Sequence, residues 1–566
     1  MDRRVLLPLV LLLAGCAEEG TVVTRDALPD TTEGVDGTTG DATVEDGDSA
    51  PPDDTLAGDA PLAETSDETA GETTGETGAS DAPPADTDPD AAVSCAPTPA
   101  PAITKTGVAG KFLLQGTVVT PDTFFVGEVL VEGDTITCAA ASCASMPGAA
   151  TATVIDTRGI IFPGLIDTHN HILFDIFDET DWAPTKAYGN HNQWPAEPRY
   201  SAMVDAKQYL NGEGTSTWDF GCEMEKFGEL KGIVAGTTSI AGSANPANRS
   251  CYASLARTVD QSPNDLGVDT VQAATLFPTK TSADGVCANF ASAKTTAYLI
   301  HIAEGVDTSA LGEFAKLGTI TTTPECLYAA QTTIVHGTAL GDPELTTMAA
   351  KGMKLTWSPR SNVFLYGGGT DLTKTTNVPL ALAKGINVAL APDWSMGGSQ
   401  NLLDELRFAD KVDNTVWGNK LTPKMLVEMV TTRAAKNLAL DAKIGSLAAG
   451  KKADLMVIGG DASAPYDALL AATPREVRLV MIGGLALYGD VAVKAIAPAA
   501  PGCETIDVCC ASKFVCVAET GGTTTNKLGQ TYAQITGALS KALTDYDALA
   551  LTAHKFAPLT PLVRCK

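Results

Sequence analysis

Short apolar runs alternate with longer helical patterns through the middle of the chain. The first run, residues 160–166, is interrupted by Pro163 and Gly164 and has the length and composition of a buried strand. Six further strand-like runs cover residues 236–242, 271–277, 297–303, 332–337, 353–358 and 386–391. Helical patterns lie between them, for example at residues 223–234 and 343–351. This alternation over roughly 260 residues is typical of a parallel α/β fold, and its length suits a (β/α)8 barrel.

Strand patterns also flank the barrel on both sides. They precede it at residues 111–119, 124–131 and 152–155, and they resume after it at residues 453–458 and 477–482. We therefore predict a small β-sandwich formed from residues 101–160 and 440–495, with the barrel spanning residues 161–439. Residues 496–566 are predicted to form a Cys-rich C-terminal extension with an Ala- and Leu-rich helical pattern.

The N-terminal part of the chain has a different composition. Residues 17–94 contain 22 Asp or Glu residues and one basic residue, Arg25, in a chain whose net charge is −29. This segment has no sustained apolar period, so it cannot bury enough surface to offset the entropy of ordering. Residues 16–100 are therefore predicted to form a disordered, self-repelling tether. Lys and Arg are not clustered along the chain, which argues against nucleic acid as a partner.

Residues 1–15 form a predicted signal peptide. Arg3 and Arg4 precede an apolar run at residues 5–13, which is too short to span a bilayer. The segment Leu13-Ala14-Gly15-Cys16 resembles the bacterial lipobox, in which the peptide is cut before the cysteine and that cysteine is lipidated. The resemblance implies a lipid anchor in the bacterial cell envelope, at the outer membrane and facing the periplasm or the cell surface.

The cysteines agree with an exported protein. The chain has 13 cysteines, and setting Cys16 aside leaves an even number. Several are close in sequence, such as Cys138 with Cys143 and Cys509 with Cys510. In an oxidising compartment such cysteines are expected to form disulfides rather than metal sites. Their pairing does not follow from the sequence.

Two histidines stand where the first strand-like run ends. His169 and His171 are separated by one residue, and residues i and i+2 of a strand point to the same side. Their imidazoles can therefore face one point, as the ligands of a bound cation do. The chain has only six histidines, so two at one strand end suggest a metal site.

Four more polar motifs follow later predicted strands. They are His301 with Glu304, the lone His336, the segment Ser358-Pro359-Arg360-Ser361-Asn362, and Asp393. Barrel enzymes place their chemistry at the carboxyl ends of the strands. One histidine after an apolar run is more often a hydrogen-bonded core residue, but this ordered set indicates a shared site.

Together these motifs resemble the amidohydrolase superfamily, specifically its deaminase-like branch, which includes guanine, cytosine and methylthioadenosine deaminases and the triazine chlorohydrolases. The resemblance covers residues 103–490. It rests on the strand-end motifs above and on the trailing segment at residues 444–458, whose sequence is IGSLAAGKKADLMVI. It implies a barrel enzyme that hydrolyses carbon–nitrogen bonds with metal-activated water, as a deaminase or as a cyclic or linear amidohydrolase.

The resemblance also implies a ligand set. One divalent metal ion would be held by His169, His171, His301 and Asp393. Zinc is the expected ion, and iron, manganese and cobalt are alternatives because a site of three histidines and one aspartate accepts each of them.

Further roles follow from the same resemblance. His336 would contact the reacting water or the substrate oxygen, Asp393 would take a proton from that water, and Glu304 would pass a proton to a ring nitrogen or leaving amine. Four residues are candidate substrate contacts: His191, Trp357, Arg360 and Trp394.

Two other functions stay open at this point. Lys280 lies near the place where two-metal relatives use a carboxylated lysine, which would make the protein a prolidase-like peptidase. The other alternative is a non-catalytic surface lipoprotein, which the complete set of ligand residues argues against. The sequence identifies neither the substrate nor the oligomeric state.

The lipobox leads to a first prediction. Cys16→Ser should release the protein from the membrane fraction or block its maturation, because the thiol that would be acylated is gone. Cell fractionation and N-terminal sequencing of the mature protein measure both effects. A variant that stays membrane-bound, together with a wild-type protein that does not begin at residue 16, would contradict the lipid anchor.

Overall fold

The structure, a computed structural model, describes residues 95, 99–243, 255–262, 264–498, 503–518 and 529–565. The predicted signal peptide, the lipobox and almost all of the predicted acidic tether lie outside the described residues. The fold below therefore concerns the flanking sheet, the barrel and the C-terminal extension.

Five strands open the described part of the chain. They are β1 (Ala102–Lys105), β2 (Lys111–Val119), β3 (Phe124–Glu132), β4 (Thr135–Ala140) and β5 (Thr153–Pro163). Strand β2 pairs antiparallel with β3 and parallel with β5. The apolar side chains of these strands, such as Leu114, Val129 and Ile155, are buried, as the strand patterns before the barrel predicted.

Eight short strands form the barrel. They are β6 (Leu165–Asp167), β7 (Thr237–Ile240), β8 (Arg257–Thr258), β9 (Val271–Ala274), β10 (Ala297–Ile302), β11 (Thr332–His336), β12 (Lys354–Trp357) and β13 (Val388–Leu390). They pair in parallel as two sheets, β6-β7-β8 and β9-β10-β11-β12-β13. A bridge between Asn170 and Asp393 joins the ends of the first and last strands. The predicted α/β barrel is therefore confirmed in its strand order.

Twelve α-helices accompany the strands in the described residues. They are α1 (Pro198–Asn211), α2 (Gly221–Ile233), α3 (Lys280–Ala291), α4 (Thr308–Thr319), α5 (Asp342–Lys351), α6 (Pro359–Tyr366), α7 (Val378–Ala383), α8 (Leu402–Val412), α9 (Pro423–Met429), α10 (Thr432–Asn437), α11 (Pro465–Ala471) and α12 (Tyr532–Leu549). Side-chain caps begin several of them: Thr279 accepts from the Ser282 backbone N–H, and Asp307 accepts from that of Ala310.

The first predicted strand, residues 160–166, is divided between two sheets. Residues up to Pro163 belong to β5 of the flanking sheet, and Leu165 begins barrel strand β6. Gly164 lies at the division, where a Cβ would come within 2.3 Å of the Thr238 side chain. A close approach that only glycine allows thus connects the two parts of the fold.

The predicted β-sandwich is not confirmed. Five later strands, β14 (Leu455–Ile458), β15 (Val477–Ile482), β16 (Leu485–Asp490), β17 (Cys503–Val508) and β18 (Ala511–Cys516), continue the sheet of β1 to β5. The result is a ten-stranded sheet in the order β17-β18-β16-β15-β14-β5-β2-β3-β4, with β1 also paired to β5. The hairpin β17–β18 of the C-terminal extension covers β16, whose backbone groups would otherwise form an open edge.

The disulfides expected from the cysteine count are present. The described pairs are Cys95–Cys510, Cys138–Cys143, Cys287–Cys326, Cys503–Cys516 and Cys509–Cys565. Cys222 is disulfide-bonded as well. One of these bonds, Cys95–Cys510, attaches the C-terminal extension to a residue before the ten-stranded sheet, and two others, Cys503–Cys516 and Cys509–Cys565, lie within the extension. Among the described residues, no helix has both the length and the apolar character needed to cross a membrane.

A buried ion pair links the barrel to the ten-stranded sheet. Arg257 of β8 donates from Nε and Nη2 to the two carboxylate oxygens of Asp454, at 2.8 and 3.0 Å. Asp454 directly precedes β14 and also accepts from the Gly483 backbone N–H at 2.7 Å. Both side chains are almost fully buried. Each charge therefore depends on the other for compensation.

We predict that Asp454→Ala lowers the free energy of unfolding by about 3–5 kcal/mol, because it leaves the Arg257 guanidinium buried without its carboxylate. Urea unfolding of the wild type and the variant measures the change. The control is Lys351→Ala, which breaks an exposed pair with Glu325 and should cost less than about 1 kcal/mol. Equal effects of the two substitutions would contradict the prediction.

Candidate active site

Strained backbone marks the ends of the barrel strands. His336, at the end of β11, has φ 63°, and Asp393, just after β13, has φ 72°. Ala303, just after β10, has φ 58°. Non-glycine residues rarely adopt this left-handed conformation, and they keep it where the surrounding structure holds them. Three such residues at neighbouring strand ends indicate a functional site.

Three histidines and an aspartate converge at this end of the barrel. Nε2 of His169 lies 2.9 Å from Oδ1 of Asp393, and Nε2 of His171 lies 3.4 Å from the same oxygen. Nε2 of His301 lies 3.2 Å from Nε2 of His169. The ligand-type atoms fall into groups that lie within 4.8 Å of one another. The structure thus brings together all four residues that the sequence predicted as metal ligands.

Neighbouring groups orient these side chains. Nδ1 of His301 lies 3.1 Å from the Ala274 carbonyl, so it donates there and turns Nε2 toward the centre of the cluster. Ser361 donates from Oγ to the second carboxylate oxygen of Asp393. The Asp167 carboxylate accepts from the backbone N–H of His169 at 3.0 Å. Such second partners hold metal ligands in the orientation that binding needs.

The residues fit a divalent metal ion. Burial lowers the pKa of His169, His171 and His301, in the case of His171 to about 3. These imidazoles are therefore neutral, which is the form that binds a metal. Three ring nitrogens and one carboxylate oxygen are a donor set that zinc and several transition metals accept.

Glu304 lies beside the cluster and is itself buried. Its Oε1 accepts from the Tyr366 hydroxyl at 2.9 Å and lies 3.8 Å from Nε2 of His336. Its Oε2 lies 3.2 Å from Nδ1 of His191. Burial raises the pKa of Glu304, but the electrostatic attraction of His336 and the hydrogen bond from His191 outweigh burial and hold this pKa well below its usual range.

The four predicted substrate contacts have different surroundings. The ring of Trp394 lies 5.5 Å from that of His171, and His191 contacts Glu304, so these two border the cluster. The indole of Trp357 donates to Thr375 at 2.8 Å and packs against Trp417.

Arg360 lies on helix α6 and contacts residues outside the histidine cluster. It donates from Nε to Ser399 at 2.9 Å, and its guanidinium lies over the ring of Phe408. Contacts of Trp357 and Arg360 with a substrate therefore stay a prediction.

Lys280, on which the two-metal alternative depends, has its contacts away from the histidine cluster. Lys280 begins α3, more than half of its side chain is exposed, and it forms an ion pair with Asp284 at 3.0 Å. Strand β9 ends at Ala274, so Pro278 and Lys280 lie beyond the barrel rather than in the site. A lysine in this position does not bridge two metal ions at the histidine cluster.

Two site residues, Tyr366 and Glu313, were not predicted from the sequence, and Asn362 was predicted only as part of the segment 358–362. Oδ1 of Asn362 accepts from Nδ1 of His336 at 3.1 Å, and Tyr366 binds Glu304. Asn362 and Tyr366 are four residues apart on α6, so they share one face of the helix. That spacing was a usable signal, whereas Glu313, which binds His191 at 2.6 Å, had none in the local sequence.

Comparison with known proteins agrees with this geometry. The sequence model of the amidohydrolase family matches residues 160–487. The 5-methylthioadenosine/S-adenosylhomocysteine deaminase of Symbiobacterium thermophilum is 26% identical over 427 residues, which cover 67% of this chain and 91% of that enzyme. The guanine deaminase of Mus musculus is 28% identical over 170 residues, which cover 29% of this chain and only 36% of that enzyme.

Solved structures show the same fold. A variant of atrazine chlorohydrolase TrzN from Arthrobacter aurescens TC1, complexed with zinc and atraton, has a TM-score of 0.52 at 16% identity, covering 66% of this chain and 95% of that one. Guanine deaminase from Bradyrhizobium japonicum has a TM-score of 0.50 at 17% identity, covering 69% of this chain and 100% of that one. These likenesses agree with a (β/α)8 barrel.

The ligand geometry leads to a prediction about metal content. His301→Ala should lose most of the bound metal, because one of four converging donors is removed. Lys280→Ala should keep the wild-type content, since that side chain is exposed and paired with Asp284. Elemental analysis of both purified variants beside the wild type measures this. A stoichiometry near two that falls with Lys280→Ala would overturn the one-metal site.

Proposed function

Because the chain belongs to the amidohydrolase family and is a hydrolase of carbon–nitrogen bonds, we propose that it removes an amino group from a ring carbon or hydrolyses a cyclic or linear amide. The observation that supports this is the convergence of three neutral imidazoles and one carboxylate beside a second, ionised carboxylate. The cluster can hold a cation, and Glu304 is placed to move protons next to it.

In this proposal His169, His171, His301 and Asp393 would hold one divalent metal ion. Zinc is the ion that this donor set and the zinc complex of the chlorohydrolase favour, and iron, manganese and cobalt are alternatives. Such an ion would supply hydroxide near neutral pH by lowering the pKa of a bound water to about 7. The remaining steps belong to side chains of this chain.

Glu304 acts as a base before it acts as an acid. Its pKa is held low, so the carboxylate is ionised at rest and has no proton to give at the start. We propose that Glu304 first accepts a proton from the attacking water and then delivers it to the leaving nitrogen. Asp393 accepts the water's other proton, which passes to the ring nitrogen in a deamination and is released to solvent in an amide hydrolysis. His336 stabilises the negative charge that develops on the substrate oxygen.

The two alternatives fit the structure less well. The prolidase-like peptidase needs a lysine at the metal site, and Lys280 lies on the surface of α3. A non-catalytic surface lipoprotein would not require the strained backbone at His336 and Asp393. We also propose that the enzyme works in the bacterial cell envelope on a lipid anchor at Cys16, for which the sequence of residues 13–16 is the support.

The proposal is tested with the metal-loaded enzyme on guanine, 5-methylthioadenosine, S-adenosylhomocysteine, cyclic amides and proline dipeptides. Ammonia release or ring opening is expected from at least one of the first four groups. Glu304→Gln should lower turnover of the active compound about 10²-fold or more while metal content is unchanged, because it removes a proton carrier and no ligand.

Glutamine has nearly the same size as glutamate, so the Glu304→Gln variant should fold as the wild type does. Its thermal stability is therefore an internal control. Thermal unfolding should match the wild type. Cleavage of proline dipeptides alone, together with full activity of Glu304→Gln, would refute the deaminase-like mechanism and favour the peptidase.

A further inference from the structure

His191 lies between two carboxylates. Its Nδ1 is 3.2 Å from Oε2 of Glu304, and its Nε2 is 2.6 Å from Oε1 of Glu313. A neutral imidazole has one N–H and can donate to only one of the two carboxylates. Its other ring nitrogen carries a lone pair, which would then face a lone pair of the second carboxylate. Only the imidazolium, with a proton on each nitrogen, donates to both. With both carboxylates ionised, the geometry therefore requires a charged histidine at this place.

The backbone around His191 holds the ring in position. Its N–H donates to the Glu304 carbonyl at 3.1 Å, and the Val306 N–H donates to the Gly189 carbonyl at 2.7 Å. Asn190 donates to the Asp307 carboxylate at 2.7 Å. At Gly305, where φ is 150°, a Cβ would come within 2.4 Å of the Gly189 carbonyl oxygen. The loop is thus fastened along the segment that carries Glu304.

Glu313 binds the nitrogen of His191 that faces away from Glu304. It lies on α4, and its Oε2 accepts from the Ala303 backbone N–H at 3.0 Å. Its side chain is largely buried, as is that of His191. Glu313 is therefore bound to the strand end that precedes Glu304 and also to the histidine that touches Glu304. His191 thus separates Glu313 from Glu304 and the histidine cluster.

We propose that His191 and Glu313 are positioning residues for Glu304. His191 would then have this role and not the contact with the substrate that the sequence analysis predicted. His191 holds Oε2, Tyr366 holds Oε1, and Oε1 is left facing His336. Glu313 keeps the imidazole charged and oriented. The carboxylate is thereby fixed and ionised when water arrives. This inference rests on the proposed role of Glu304 as the proton carrier.

The charge balance agrees with this arrangement. Burial lowers the pKa of His191, but the hydrogen bonds to Glu304 and Glu313 outweigh it and raise this pKa to about 10. Glu304 and Glu313 are the charged groups that act on the ring, and Tyr366 faces Glu304 from helix α6.

The first test reads the histidine itself and needs no substrate. Nitrogen NMR of the zinc-loaded protein can follow individual rings because the chain has only six histidines. His191 should keep both ring nitrogens protonated at pH 8, and Glu313→Gln should lower the pH at which it loses a proton. A wild-type His191 that is neutral at pH 8 overturns the proposal, whether or not an activity has been found.

The second test is kinetic and uses any compound that the enzyme turns over. Glu313→Gln should lower kcat about tenfold with KM changed less than about twofold, since Glu313 does not reach the substrate. His191→Gln should lower kcat further, with metal content unchanged. The double variant His191→Gln with Glu304→Gln should be no slower than Glu304→Gln alone, because both changes disable one unit.

The control is His554→Gln, in the C-terminal extension, which should leave kcat, KM and metal content unchanged. A large rise in KM with kcat intact in His191→Gln would show a substrate contact and refute the positioning role. Additive losses in the double variant would refute it as well. Loss of metal in His191→Gln would show a defect of the cluster instead and would also count against the proposal.

Discussion

The convergence of three buried, neutral imidazoles and one carboxylate is the constraint on which the rest of the site depends. The same residues that form the cluster also close the barrel. The His171 N–H donates to the Asp393 carbonyl at 2.7 Å, and the Asp393 N–H donates to the His169 carbonyl at 3.2 Å. Joining the first and last strands therefore places their ligands side by side. The left-handed backbone at Asp393 is held by this closure.

Around the cluster, three polar side chains have partners that decide which atom faces inward. Asn362 turns His336, Ser361 engages the outer oxygen of Asp393, and Tyr366 engages Glu304. All three partners lie on α6, which begins directly after β12. One short helix thus orients three groups that belong to three different strand ends. Preorganisation of this kind is what a site needs to act on charge that develops during a reaction.

The barrel and the ten-stranded sheet are connected at two places. Gly164 connects β5 of the sheet to β6 of the barrel, and the Arg257–Asp454 pair joins β8 to β14. The C-terminal hairpin extends the same sheet, and a disulfide from Cys509 to Cys565 fastens the end of the chain to it. The flanking parts therefore determine where the first strand of the barrel begins.

The sequence by itself determined the alternation of strands and helices, the strand ends that carry histidines, and the residue types of a metal site. These properties are local: side-chain periodicity follows from a few neighbouring residues, and His169 and His171 share a face because they are two positions apart. The tertiary structure alone decided that the flanks and the tail form one sheet, that Lys280 lies outside the site, and that His191 bridges Glu304 and Glu313. Those outcomes depend on hydrogen bonds between residues far apart in the chain; His191 and Glu304, for example, are 113 positions apart. A local sequence pattern does not indicate which distant residue a polar group will bind.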